Sequence, residues 1–106
     1  MVHGGLVYLS GQLPLDPVTG AKLPGPIETQ AERVLQNLAA ILAAAGTDRT
    51  HVLRMTVYVA DLALWGRVNE VCARFFGDYR PARAVVPTGP LHHGCDIEVE
   101  MVAALP

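Results

Sequence analysis

An arginine and a glutamate near the end of the chain are the side chains best suited to chemistry. Arg83 begins a short apolar run that Pro87 ends, and Glu98 lies where apolar and acidic residues alternate. A guanidinium grips a carboxylate through two parallel N–H bonds, and a carboxylate can orient a water molecule and accept its proton. The pair could therefore bind an anionic small molecule and activate water beside it. Composition alone also allows Arg83 to form a surface ion pair, and Glu98 to pair with Arg54 on a solvated strand.

Other chemistries have less support in the sequence. His92 and His93 are adjacent, so their side chains point in different directions, and no third ligand lies at a metal-binding spacing. We expect them to belong to a turn and expect no metal. Lys22 is the only lysine and lies in a turn, which disfavours a Schiff base. Cys72 and Cys95 have neither metal nor redox spacing, so we expect reduced thiols in a cytoplasmic chain.

Length and composition favour one domain over residues 1–106. Hydrophobic residues make up 51% of the chain, which is high for so small a protein and predicts apolar surface buried between subunits. The net charge is -2 and no basic run exists, so no nucleic-acid partner is expected. The apolar stretches are too short to cross a bilayer and the N-terminus lacks a signal pattern, so no membrane partner is expected either.

The hydrophobic periodicity predicts an α+β protein. Apolar residues at three- and four-residue steps indicate helices, and alternation indicates strands. The predicted elements are a strand at 6–10, a short extended piece at 21–23, a helix at 27–45, a strand at 52–60, a helix at 62–76 capped by Asp61, and two strands within 81–103. A strand-helix-strand unit implies parallel pairing across the second helix. The final two strands are joined by a loop, so they are candidates for an antiparallel pair.

The alternation also predicts two different sheet faces. The apolar face, which two amphipathic helices can cover, takes Leu53, Met55, Val57 and Val59 from the strand at 52–60. The other face is expected to carry Tyr8, Arg54, Thr56, Tyr58, Val85, Asp96, Glu98 and Glu100. A face that mixes polar and apolar side chains predicts packing against copies of the chain, with sites where subunits meet.

Several motifs resemble those of the RidA family (reactive intermediate deaminase, formerly YjgF). Residues 10–20, SGQLPLDPVTG, resemble the family signature SGQ-x-P-x-DP-x-TG. The helix at 30–46, the segment 68–76 with VNE and FF, the Pro-Ala-Arg at 81–83 and the Ile-Glu-Val-Glu at 97–100 also resemble family motifs in the same order. The resemblance covers nearly the whole chain.

This resemblance implies a fold, an assembly and an activity. The implied fold is the chorismate-mutase-like α+β fold, with a mixed sheet and two helices on one face. It forms a homotrimer with a central barrel and clefts between subunits. The implied activity is cofactor-independent hydrolysis of enamino and imino acids, such as 2-aminoacrylate and 2-iminopropanoate, to 2-oxo acids and ammonia.

The resemblance also implies roles for particular residues. Arg83 would hold the substrate carboxylate and Glu98 would handle the water, while Ser10 and Asn69 match other pocket positions. Val85 occupies a pocket position that is often cysteine in the best-known deaminase subgroup. From the residues alone, Ser10 could instead be a turn residue at a strand end. Asn69 could instead form a hydrogen bond to the backbone at the surface of its helix.

The sequence also departs from the family pattern. Family members have a GPYSQA-like run before the first strand, whose tyrosine reaches the pocket, whereas here Met1 stands just before that strand. The loop at 87–94 also differs from the corresponding loop of the best-known deaminase subgroup. An alternative function is therefore a non-catalytic trimeric module that binds small molecules or proteins. A ribonuclease activity has been attached to the family, but the net charge of -2 argues against it here.

Overall fold

The computed structural model describes residues 1–106 and has an α+β architecture. Its elements are β1 (Val2–His3), β2 (Leu6–Gln12), α1 (Ile27–Ala44), β3 (Val52–Val59), α2 (Trp65–Phe76), β4 (Ala82–Pro87) and β5 (Ile97–Ala104). The five strands form one mixed sheet in the order β1-β2-β5-β3-β4. Only β3 and β4 are parallel, as the crossover through α2 predicts. Neither helix combines the length and apolar character needed to cross a membrane.

The core lies between the two helices and one face of the sheet. The apolar stripe of α1 is buried as its spacing predicts, and Leu35, Leu38 and Leu42 are each at most 1% exposed. Burying one such side chain stabilises the fold by about 1.5–3 kcal/mol. From α2, Val68, Val71, Cys72, Phe75 and Phe76 pack against the same sheet face. The helices therefore cover one face of the sheet and leave the other open.

The first hairpin differs from the prediction. Gly4 and Gly5 have φ of 58° and 77°, and this two-residue turn pairs the short strand β1 with β2. The predicted extended piece at 21–23 is not a strand of the sheet, because only one isolated bridge joins Leu15 to Lys22. The segment instead forms a loop whose turn is held by the Asp16 carboxylate. The adjacent glycines Gly4 and Gly5 were the sequence signal for a hairpin, and hence for strand β1, which was not predicted.

A bulge in β3 changes the predicted sidedness at its start. Leu53 was expected to face the helices, but it is 46% exposed, whereas Val52 is fully buried. The register against β5 shifts between Val52 and Arg54, so one extra residue of β3 has no partner. From Met55 onward the alternation follows the prediction. The placement of Leu53 toward the core was therefore wrong.

The last two strands do not pair with each other. β3 lies between β4 and β5 and hydrogen-bonds to both. The parallel crossover through α2 places β4 at the edge of the sheet, and β5 inserts between β2 and β3. The loop between β4 and β5 therefore crosses a strand instead of forming a hairpin, and the antiparallel pair considered for these strands does not form.

The open face of the sheet contains most of the predicted side chains. Arg54, Thr56, Tyr58, Glu98, Glu100 and Tyr8 lie there, as the pairing register requires. Val85 does not, because it pairs with Val57 and packs against the core, and Val86 takes its place. Asp96 belongs to the helix side, where its carboxylate accepts a hydrogen bond of 3.1 Å from Gln30 on α1. The predictions for Val85 and Asp96 were wrong.

Candidate functional site

Arg83 lies on the edge strand β4 with its guanidinium held against α2. Its Nη1 donates a hydrogen bond of 2.9 Å to Asn69 Oδ1. The guanidinium carbon lies 4.7 Å from the centroid of the Trp65 ring, within cation–π range. Trp65 and Asn69 are four residues apart on α2 and therefore share one side of the helix. We call Trp65, Asn69 and Arg83 the Arg83 cluster.

The Arg83 cluster leaves most of the guanidinium available. Arg83 is exposed, and no hydrogen bond within the chain uses its Nε or Nη2. It also forms no ion pair with any carboxylate of the chain. A guanidinium that is oriented but has two free N–H groups is suited to bind a carboxylate side-on. The two partners on α2 fix its direction without neutralising its charge.

A depression of about 390 Å³ lies beside Arg83, between β4, α2 and the segment that connects them. It is lined by Met55, Asn69, Cys72, Ala73, Phe76, Tyr79, Arg80, Pro81 and Arg83. Burial raises the pKa of Cys72 to about 11, and the nearby charge of Arg83 only partly opposes this. The thiol therefore stays protonated at neutral pH and is not an activated nucleophile.

Glu98 lies on the open face of the sheet beside the end of β2. A Cβ placed on Gly11 would lie 2.5 Å from Glu98 Oε2, so the carboxylate packs directly over the backbone of Gly11. Ser10, the residue before Gly11, is exposed on the same strand. Only glycine allows this approach of the carboxylate to the chain. We call Ser10, Gly11 and Glu98 the Glu98 cluster.

The neighbouring Glu100 is used within the sheet. Its carboxylate accepts a hydrogen bond of 3.0 Å from the Tyr58 hydroxyl on β3. This bond, partial burial and the charges of Glu100 and Glu98 together raise the pKa of Tyr58, so the phenol stays protonated. Glu98 has no such partner, and Arg54 forms no ion pair with it. Of the two glutamates, Glu98 therefore has the less committed carboxylate.

The two clusters do not meet within one chain. Arg83 pairs with Met55, whose side chain faces the helices, whereas Glu98 pairs with Tyr58 on the open face. Strand β3 separates them by two strand spacings, or about 10 Å across the sheet. Val85 lies two residues beyond Arg83, on the same side of β4, and packs against the core. The structure thus brings Arg83 together with Asn69, and Glu98 together with the end of β2.

Three residues of these surroundings were not predicted as site residues. Trp65 and Gly11 contact the predicted arginine and glutamate directly, and Arg80 lines the depression with Arg83. Trp65 could have been predicted, because it lies four residues before Asn69 and therefore shares one side of α2 with it. The position of Gly11 beside Glu98 depends on contact between distant segments, which the spacing of residues along the chain does not encode. Arg80 lies three residues before Arg83 and is held by local hydrogen bonds, so its short distance from Arg83 along the chain was a usable signal.

The double histidine lies in a turn, as expected. His92 and His93 belong to a short 3-10 turn, and His93 has φ of 59°. Their ring centroids are 6.1 Å apart. Lys22 Nζ donates a hydrogen bond of 2.7 Å to the carbonyl oxygen of Gly94, which ties this turn to the loop before α1. No group of three or more His, Cys, Asp or Glu side chains is positioned to hold a metal ion.

Comparison with known proteins shows the family. A family model described as Endoribonuclease L-PSP matches residues 1–105. Protein DfrA from Myxococcus xanthus is 46% identical over 100 residues, which are 94% of this chain and 76% of that protein. The 2-iminobutanoate/2-iminopropanoate deaminase of Rattus norvegicus is 41% identical over 97 residues, which are 92% of this chain and 71% of that protein.

A solved structure shares the whole architecture. RidA from an Antarctic Psychrobacter species superposes with a TM-score of 0.94 at 35% identity, covering 99% of this chain and 85% of that chain. The agreement extends over both helices and the five-stranded mixed sheet. With the family match over residues 1–105, it establishes that this chain belongs to the RidA (YjgF) family.

Proposed function

We propose that this chain hydrolyses reactive 2-imino and 2-enamino acids to 2-oxo acids and ammonia, without a cofactor. The observation that carries the proposal is the Arg83 guanidinium, which Asn69 and Trp65 orient while its Nε and Nη2 stay free. The deaminase name of a relative that is 41% identical supports the same reaction class. Residues 1–106 would act as a single RidA-like domain.

The proposed chemistry needs one anchor and one water. Arg83 binds the substrate carboxylate through a charge-assisted contact of about 1.5–3 kcal/mol. Glu98 orients a water, which adds to the electrophilic imine carbon while its proton passes to the carboxylate. Glu98 returns that proton to the nitrogen, which completes the carbinolamine. The proton of the new hydroxyl then passes through Glu98 to the nitrogen as the C–N bond breaks, so that ammonia and the 2-oxo acid are released. Ser10, Asn69 and Val85 shape the pocket around these two groups.

The proposed site is shared between subunits. In a homotrimer built on the open sheet faces, the Arg83 cluster of one copy would face the Glu98 cluster of the next. This arrangement accounts for their separation on opposite faces of one sheet. It also accounts for the mixture of apolar and polar side chains on the open face, which suits a barrel interior better than bulk solvent.

The direct test is ammonia release from 2-iminopropanoate, generated in situ from alanine by an amino-acid oxidase. We expect wild-type protein to accelerate the release, Arg83→Ala to abolish the acceleration, and Arg83→Lys to retain a small part of it. Arg74→Ala is a matched control, because Arg74 is also an exposed arginine but lies away from both clusters. A wild-type rate equal to the uncatalysed rate across several imino acids would rule out the proposed enzyme.

A non-catalytic module on the same fold is the alternative. It is favoured by the name DfrA of a 46% identical relative, which states no deaminase activity. The two functions differ in one measurement. A module would be stabilised in thermal unfolding by a small 2-oxo acid, through Arg83, while imine hydrolysis stayed at the uncatalysed rate.

A further inference from the structure

We propose that Arg80 and Arg83 together select substrates with two carboxylates, so that the preferred substrate class is the 2-imino dicarboxylic acids. The inference rests on the proposed function, in which Arg83 holds the carboxylate next to the imine. Arg80 would then hold a second carboxylate at the end of the substrate side chain.

Arg80 is held in place by the end of α2. Its Nη1 donates to the carbonyl oxygens of Gly77 and Tyr79, the latter at 2.9 Å. Gly77 is the residue that ends the helix, where the free carbonyls favour a cation. The hydroxyl of Tyr79 in turn donates to the carbonyl oxygen of Val52, which ties this segment to the sheet. Arg80 is thus anchored through one nitrogen, as Arg83 is.

Both arginines keep the same atoms free. No hydrogen bond within the chain uses Nε or Nη2 of Arg80, and neither arginine forms an ion pair. Each therefore presents the pair of N–H groups that binds a carboxylate side-on. Arg80 and Arg83 therefore line the same depression, each with one anchored nitrogen and one free pair of N–H groups.

The depression they share has no compensating negative charge. Arg80 and Arg83 are the only charged residues among its nine lining residues, and neither Asp78 nor Glu70, the closest acidic residues in sequence, lines it. Most of the other lining residues are apolar, and the aromatic rings of Phe76 and Tyr79 are the largest side chains among them. Its volume of about 390 Å³ is in the range of small-ligand sites.

A monocarboxylate would leave one of these charges unmatched. If a neighbouring subunit covers the depression, an unpaired guanidinium loses hydration without gaining a partner, which is unfavourable. A second carboxylate on the substrate supplies that partner. The reaction itself is unchanged, since water adds across C=N and the C–N bond breaks to release ammonia, while both carboxylates remain intact.

Two imines of equal chain length test the inference. Glutamate and norvaline, oxidised in situ by an amino-acid oxidase, give 2-imino acids that end in a carboxylate or in a methyl group. We expect the wild type to have a kcat/KM about ten- to hundredfold higher for the dicarboxylic imine, as one charge-assisted contact provides. Arg80→Ala should remove this preference, Arg80→Lys should restore part of it, and Arg74→Ala should leave it unchanged.

Binding supplies a second measurement that needs no turnover. Trp65 is the only tryptophan and lies 4.7 Å from the guanidinium carbon of Arg83, so its fluorescence reports on ligands bound there. We expect 2-oxoglutarate to bind about ten- to hundredfold more tightly than 2-oxopentanoate to the wild type, and equally tightly to Arg80→Ala.

The outcomes separate this inference from the proposed function. Hydrolysis of 2-iminopropanoate with equal rates for the two matched imines would overturn the selectivity and leave the deaminase standing. Arg80-dependent binding of 2-oxoglutarate without any imine hydrolysis would overturn the deaminase and support the two-carboxylate site. A lower oligomer mass for Arg80→Ala with an unchanged preference would show that Arg80 pairs across subunits, which also overturns the inference.

Discussion

The guanidinium of Arg83 owes its orientation to a single turn of helix α2. Trp65 and Asn69 lie one turn apart, and the charge of Arg83 lies over one and is hydrogen-bonded to the other. Each contact is weak at an exposed site, about 0.5–1 kcal/mol for a cation–π pair. Their value is geometric, because they restrict a flexible side chain to one direction before a ligand arrives.

Glu98 depends on the absence of a side chain at Gly11. Gly11→Ala would place a Cβ 2.5 Å from Glu98 Oε2, so the carboxylate must move. The backbone of Gly11 does not have positive φ, so alanine is tolerated there. We expect imine hydrolysis to fall about ten- to hundredfold, because small misplacements of a catalytic group are costly, and the free energy of unfolding to change by less than about 0.5 kcal/mol.

The matched control is Gly66→Ala on α2, where an added Cβ meets nothing within 4 Å. It should leave activity unchanged and raise the free energy of unfolding in urea by about 0.5–1 kcal/mol. Full activity in Gly11→Ala would mean that the position of Glu98 does not matter to the reaction.

At the scale of the elements, the connections hold the sheet and helices in register. The 3-10 turn before β3 begins at Asp48, whose carboxylate accepts hydrogen bonds from the backbone and hydroxyl of Thr50 and contacts His51 Nδ1. The turn leads directly into β3, whose register against β5 shifts at the bulge at Leu53. Beyond the bulge, Met55 lies beside Arg83 in the parallel register of β3 and β4.

This turn predicts a pH dependence of stability. The hydrogen bonds from Thr50, and then the contact with His51, lower the pKa of Asp48 to about 2 from its usual 3.8. Because the folded-state pKa is the lower one, the stabilisation is complete above pH 3.8 and is lost as the pH falls toward 2. Asp48→Asn should therefore destabilise the protein at pH 7, and less so near pH 2. Urea denaturation of both proteins at each pH measures this difference, and an equal difference at both would contradict it.

At the scale of the whole molecule, the open sheet face is the feature that a single chain leaves unexplained. It exposes Tyr8 to 46% and Val86 to 38%, beside half-buried polar side chains of β3 and β5. The helices already cover the other face. The Arg83 and Glu98 clusters lie on opposite sides of the same sheet, so the proposed shared site would need another copy of the chain.

We therefore predict a homotrimer of about 34 kDa, three times the 11.3 kDa of one chain. Light scattering at micromolar concentration measures the mass, and a value of 11.3 kDa would contradict the prediction. Val86→Glu should lower the mass, because it adds a charge to the open face. Val18→Glu is the control, since Val18 is 91% exposed in a loop.

Much of this protein follows from local patterns along the chain. The stripe of α1 and the alternation of β5 are complete within 18 and 8 residues, so both elements and their buried sides could be predicted. Arg83 and Glu98 could be singled out in the same way, by residue type, spacing and motif. The face of Val85 could not, because residues 84–87 of β4 form a continuous apolar run without alternation and their sides are set only by pairing with β3.

The sequence by itself determined the two helices, most strands and the residues with the means to bind a carboxylate and activate water. Only the tertiary structure decided that β3 separates β4 from β5, and that Arg83 and Glu98 face opposite sides of the sheet. It also decided that Arg80 joins Arg83 on one wall. The physical reason is that periodicity is a property of one segment, whereas strand order and register depend on hydrogen bonds between segments far apart in the chain.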